Sequence, residues 1–235
     1  MNTIENISLA DLSWVLLPVL AVIAIQYKWS LKIKTNLYAL LRMLLQLLMI
    51  GYFLAYIFES NEPWIVVLVL AVMLLVSSWI ALRTVKEKRN TLYKKGLLSI
   101  IVGGGIVLIV VIIGVLDLSP WYSTQFFIPL AGMIFASSMN SVSLAAERYF
   151  AEIDNAVPYQ QARDKAFQAA LIPIVNSLFA VGLVSLPGMM TGQILSGVSP
   201  FIAARYQIMV MCMIFASSGL SAALFLHLIK NQKLT

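Results

Sequence analysis

Ser185-Leu186-Pro187-Gly188-Met189-Met190-Thr191-Gly192-Gln193-Ile194-Leu195-Ser196-Gly197 interrupts an otherwise apolar helical pattern. Pro187 lacks an N–H and Gly188, Gly192 and Gly197 lack a Cβ, so the backbone here is free to break, turn or approach a neighbour closely. The Pro187-Gly188 pair predicts the break itself, with Gly188 in a conformation that a β-branched residue would resist. Met189, Met190, Thr191 and Gln193 place sulfur and side-chain oxygen in the break. In a bilayer, irregular backbone persists only where protein or water covers its polar groups. Broken helices of this kind line substrate paths in transporters. A plain Pro-Gly turn between two membrane helices accounts for the same residues, so both readings stand at this point.

Composition puts the break in a membrane. The chain is 61% hydrophobic and 11% charged, with mean hydropathy +0.91, which excludes a soluble domain, where charged residues make up about 25%. Met1-Asn2-Thr3-Ile4-Glu5 has neither the basic region nor the cleavage site of a signal peptide, so the first apolar segment is expected to be retained as a span. Cys212 stands alone, which excludes an intrachain disulfide and a Cys-based metal cluster and predicts a small packing residue.

Apolar segments of about 20 residues fall at Leu12–Tyr27, Leu37–Phe58, Trp64–Leu82, Leu97–Leu116, Phe126–Ala146, Ala169–Leu186 and Tyr206–Ile229. They predict an all-α, polytopic integral membrane protein of about seven transmembrane helices, with a short re-entrant helix near 187–200. The whole chain, 1–235, is expected to be one transmembrane domain with a cytoplasmic loop at about 147–167. Lys and Arg decide orientation, because short cytoplasmic loops retain positive charge. In a seven-span arrangement Lys28, Lys32, Lys34 and Arg42, then Arg83 to Lys95, then Arg148, Arg163 and Lys165, and finally Lys230 and Lys233 share one side, leaving Arg205 opposite. Glu5, Asp11, Glu59, Glu62 and Asp117 mark the far side. The N-terminus is therefore expected outside, the C-terminus in the cytoplasm, and the protein in the cell membrane. Trp and Tyr near the span ends match interfacial belts. The net charge of +6 reads as topology rather than as a nucleic-acid surface, since the basic residues are scattered and no binding fold is present.

Polar residues inside spans tend to face the bundle or a pathway. Arg42 and Gln46 share a helix face, although Arg42 also fits a side chain that snorkels to headgroups. Asn140, among Ser137, Ser138, Ser141 and Ser143, and Asn176, beside Ser177 and after Pro173, are the stronger pathway candidates. The serines fit small-residue helix packing equally well. In the long loop, Pro158 sits where a helix would begin. Tyr159, Ala162 and Ala166 then form one face against charges such as Arg163, predicting a short surface helix with an exposed small-plus-aromatic face for docking a soluble partner.

Ala170-Leu171-Ile172-Pro173, the block Gly182 to Ile194 with Leu-Pro-Gly-Met-Met at its centre, Ser199-Pro200, and Arg205-Tyr206-Gln207-Ile208-Met209-Val210 together resemble the Fet-type iron-export ABC permease family. Arg42-x-x-x-Gln46-Leu47, Gly51-Tyr52, Ile128 to Ile134 and Met139-Asn140 extend the resemblance over almost the whole chain. Ile153-Asp154-Asn155-Ala156-Val157 stands where that family often has a Leu-Gly-Ala-Thr-like turn. The resemblance implies a membrane subunit that works as a homodimer with a separate ATPase, with Pro158, Tyr159, Ala162, Arg163 and Ala166 as the coupling residues. It implies metal efflux along Met189, Met190, Thr191, Gln193, Asn140, Asn176, Arg42 and Gln46.

No Gly-x-x-x-x-Gly-Lys-[Ser/Thr] occurs, so ATP and Mg²⁺ are expected on the partner and this chain is expected to be a transporter subunit rather than an enzyme. Fe(II) prefers imidazole, carboxylate and water, and thioethers suit softer ions such as Cu(I). His227, the sole histidine, lies near one end of the last span, and the spans carry no acidic pair at ligand spacing. An ion-gradient-driven carrier and an ABC permease for a non-metal small molecule are the alternatives.

Overall fold

The computed structural model describes residues 8–59 and 62–230; Glu5 and Lys233, used above for sidedness, lie outside the described residues. The chain forms two compact units, Met1–Glu59 and Ser60–Thr235.

The first unit contains α1 (Leu9–Ser13), α2 (Leu16–Lys28) and α3 (Lys34–Glu59). Ser8 caps α1, its hydroxyl oxygen accepting from the Asp11 amide at 3.1 Å. The first expected span is thus divided near Trp14 into two helices. Between α2 and α3, Ser30 takes a positive φ of 56° and the Asn36 amide donates to Gln26 Oε1 at 3.0 Å, which ties the turn.

The second unit contains α4 (Pro63–Ala81), α5 (Arg89–Ile109, continued by a π-helical turn Val110–Val115), α6 (Thr124–Asp154), α7 (Tyr159–Ala180), α8 (Gly188–Leu195) and α9 (Pro200–Leu228). No strand is present among the described residues, so the all-α expectation holds. Five stretches among the described residues are long and apolar enough to cross a membrane: Asp11–Lys28, Lys34–Phe53, Pro63–Val115, Thr124–Asp154 and Pro200–Leu228. The third folds back at a 3₁₀ corner, Leu82–Lys88, where Val85 leaves helical geometry. Arg89 locks this corner by stacking over Trp79, 3.7 Å from the ring centroid, and donating to the Trp79 carbonyl. α7 is not among them, because its first turns carry the charges of Arg163, Asp164 and Lys165.

α6 is the centre of this unit, packing on α4, α5, α7 and α9. Small residues allow the close approach that membrane helices rely on. A Cβ on Gly103 of α5 would lie 2.5 Å from Ser221 Oγ, and one on Gly104 would lie 3.1 Å from Ile134. Ser221 Oγ donates to Ser138 Oγ at 3.0 Å, and Ser138 Oγ donates to the Ser217 carbonyl at 3.3 Å. Ser138, Ser217 and Ser221 are fully buried, so these serines are packing residues.

At one end of the unit, the Tyr159 hydroxyl donates to the Leu226 carbonyl at 3.1 Å and Tyr149 packs edge-on against both Phe150 and Tyr159. Lys88 lies 4.4 Å from the Phe150 ring centroid. Glu152, almost wholly buried, receives Lys165 Nζ at 2.8 Å and pairs with Arg148 one turn back. The basic groups of the 82–88 corner, the α6–α7 turn and the end of α9 therefore gather at one end.

Candidate functional site

Two backbone corners build the stretch around Pro187, and neither is at Gly188. α7 stops at Ala180 rather than Leu186, because Gly182 (φ 85°) turns the chain and its N–H bonds to the Ser185 carbonyl at 3.0 Å. Pro187 then leads into α8, with Thr191 Oγ1 donating to its carbonyl at 3.2 Å. Gly197 (φ 91°) closes α8, and the Val198 N–H bonds back to the Gln193 carbonyl at 3.0 Å. The expectation of a short helix near 187–200 is met by α8. The expectation for Gly188 is corrected: it has no positive φ, and a Cβ there meets nothing within 4 Å. Gly188→Val is therefore expected to leave accumulation and transport within about twofold of wild type, measured as efflux per folded protein.

α9 starts at Pro200, earlier than the expected Tyr206, and runs antiparallel to α7 as two legs of one hairpin with α8 at its bend. Three cavities follow the α7–α9 seam. The first, about 340 Å³, lies at the basic end between Arg163, Asp164 and Phe167 of α7 and Ala223, Leu226 and His227 of α9. Here Arg163 Nε donates to Asp164 Oδ1 at 2.8 Å, and this bond, with the carboxylate charge, raises the guanidinium pKa further above its usual range. The second, about 190 Å³, is walled by Asn140 and Ser137 of α6, Pro173 and Ser177 of α7, and Ile214 and Ser218 of α9. Pro173 also removes the donor for the carbonyl four residues back. The third, about 360 Å³, lies under α8 between Met190, Leu178 and Gly182 on one side and Gln207, Met211 and Cys212 on the other. From Ala204 to His227 on α9 is 23 residues, about 35 Å at 1.5 Å per residue, which matches the roughly 30 Å hydrocarbon core.

Gln207 is 6% exposed, and its Oε1 has no hydrogen-bond partner; Gln193 Oε1 is likewise buried without one. A buried carbonyl oxygen left without a donor costs about 1–3 kcal/mol, so such groups mark places built for something other than packing.

The sequence-derived site residues sort as follows. Met190 and Asn140 reach the seam cavities. Met189 packs against the core and Thr191 bonds within α8. Asn176 is exposed and lines none of the three cavities. Arg42 and Gln46 lie on α3 in the first unit. Of the five coupling candidates, Pro158 precedes α7 and the other four belong to it, so the separate surface helix is corrected to the first turns of one long helix. Ala162 and Ala166 are fully buried and Tyr159 is bonded to α9; the small-plus-aromatic face is thus consumed inside the protein. Arg163 stays exposed. Gln207 and Met211 were missed as site residues: with α9 expected from Tyr206, Gln207 looked terminal, whereas the Pro200 start puts it two turns inside. The detectable signal was a glutamine one helical turn from a methionine in an apolar run. Among the described residues no group of three or more His, Cys, Asp or Glu comes together.

Residues 9–234 match the model of the uncharacterised protein family UPF0014. The chain belongs to the UPF0014 family of membrane proteins. It is 39% identical to the UPF0014 membrane protein slr1647 of Synechocystis, covering 90% of this chain and 88% of that one. It is 34% identical to the probable iron export permease protein FetB of Escherichia coli (97% and 92% covered) and 30% identical to the protein ALUMINUM SENSITIVE 3 of Arabidopsis thaliana (88% and 80%). No solved structure matches. This UPF0014 chain is accordingly a multi-pass membrane protein.

Proposed function

We propose that the chain is the membrane subunit of an ATP-driven metal exporter whose cargo passes along the α7–α9 seam. The observation that carries this is the alignment of three cavities over about 35 Å of one helix pair. Iron as cargo follows from the likeness to the probable iron export permease protein of Escherichia coli. A partner ATPase binds ATP and Mg²⁺, for which this chain has no phosphate loop. Two copies of each subunit complete the transporter. The basic end faces the cytoplasm, in accord with the charge rule, and offers the ATPase the exposed side of the first α7 turns, Gln160, Gln161, Arg163, Asp164 and Gln168. Closure of the ATPase dimer pulls on α7, and α7 carries the walls of all three cavities with it. A proton-driven carrier is less well supported, since the seam's one carboxylate, Asp164, sits at its end and is bound to Arg163.

Ser177→Trp should plug the middle cavity. It is expected to cut metal efflux from proteoliposomes holding permease and ATPase to below about a tenth of wild type, a barrier rise near 1.4 kcal/mol, while dimerisation and ATPase binding persist. Asn176→Leu, off the seam, should stay within about twofold. Equal efflux from Ser177→Trp and wild type would move the path elsewhere.

A further inference from the structure

We propose that the cavity beneath α8 is a binding site for a soft monovalent cation, Cu(I) or Ag(I). Three sulfurs reach its wall from two helices: Met190 from α8, and Met211 and Cys212 from α9. Thioether and thiol sulfur select soft ions over hard ones such as Na⁺, Mg²⁺ or Ca²⁺. The second, independent observation is Gln207, one turn before Met211 on α9, more than nine-tenths buried and with its Oε1 lacking any donor on the same wall. That oxygen is a fourth ligand, itself uncharged, or a holder for a water on the ion.

Charge decides the valence. No acidic, basic or imidazole side chain lines this cavity, and its remaining walls are apolar, Leu178 and Ile208 among them. Moving an ion out of water into such surroundings costs energy that rises with the square of its charge, so a divalent ion pays about four times as much as a monovalent one. Cys212 supplies the compensation: coordination breaks its S–H bond, the proton leaves to water, and a sulfur–metal bond forms. A monovalent ion then leaves the cavity neutral, whereas a divalent ion leaves it positive. Methionine side chains rotate about three bonds, so Met190 and Met211 can close on an ion much smaller than the cavity.

As a statement about cargo this rests on the seam being the export path, but as a statement about binding it does not. The full chain in lipid nanodiscs is titrated with Cu(I) against the chelator bathocuproine disulfonate, with Ag(I) as a redox-inert probe and Fe(II) for comparison. One Cu(I) per chain is expected, with sulfur in its first coordination shell by X-ray absorption. Cys212→Ser and Met190→Leu should each weaken binding by at least about tenfold, and Gln207→Leu by about the same. Cys212 is exposed, so its serine variant should keep the wild-type helical signal and elution volume and remain interpretable. Cu(I) retention equal in wild type and in a Met190→Leu, Met211→Leu, Cys212→Ser variant overturns the site. A complex that exports Fe(II) while this cavity takes no Cu(I) overturns it too, and leaves the permease reading standing. Cu(I) held in the cavity with no ATP-driven export of any metal supports the site and refutes the path.

Discussion

Gly103→Ala is expected to strip most folded protein from the membrane. The added Cβ would lie 2.5 Å from Ser221 Oγ, 2.6 Å from Ser221 N and 2.8 Å from Ser221 Cα. Two of those three atoms are backbone, so no rotamer change on α9 removes the clash. α5 cannot back away either, because Gly104 already puts its other side against Ile134 and Phe135 of α6. Overpacking costs about 1–3 kcal/mol when side chains can adjust, and the helix-propensity gain of alanine over glycine returns only about 1. Because the clash is with backbone the cost falls at the upper end, and a net loss of about 2 kcal/mol follows, a large part of a typical stability. The comparison is Gly105→Ala, where a Cβ meets nothing within 4 Å. Thermal unfolding in detergent with fluorescence-detected elution should show Gly105→Ala unchanged and Gly103→Ala early-melting or aggregated. Equal melting of the two would mean that α5 and α9 do not approach at Gly103 as described.

Residues with one dominant physical role were legible in the chain. Long apolar runs required helices, and the α4–α5 corner could be placed from Arg83 to Lys95 because a cluster of charges with a strong basic excess cannot stay in the hydrocarbon. The short helix after Pro187 was legible for the same reason: proline and three glycines have few other uses in such a run. What escaped was the three-dimensional sorting of residues that serve equally well as filler. Ser138, Ser217 and Ser221 look like Ser177 in sequence, yet the first three hold α6 against α9 and the last faces a cavity. Tertiary contact decides between them. Gly188 misled because a Pro-Gly pair suggests the bend, whereas the chain bends at Gly182 and Gly197, each five or more residues away along the chain. Local propensity says that a bend is affordable; packing of α8 against α9 says where it falls. The seam was visible only once α7 and α9 were paired, since its three cavities draw on residues more than 30 positions apart.

The same sorting decides the outcome of Ala162→Arg. A helix with an exposed Tyr159–Ala162–Ala166 face would accept arginine there with its fold intact and lose only the partner. In the structure Ala162 has no exposed surface, and the spacing Ala162, Ala166, Ala170 is the inward stripe of a continuous α7. Arginine at this position must bury an unpaired guanidinium or pry α7 off its neighbours. The scale for an uncompensated buried charge is about 3–5 kcal/mol. Ala162→Arg is therefore expected to abolish accumulation of folded protein, and loss of ATPase binding would follow from unfolding. Gln161→Arg, one position earlier and exposed, adds the same charge to the outward side. It should leave melting within about 0.5 kcal/mol of wild type and still lower ATPase co-purification, if the outward side of α7 is the docking surface. Measuring melting and co-purification for both variants separates the cases. An Ala162→Arg protein that melts normally and loses only the ATPase would restore the exposed-face reading and displace the buried stripe.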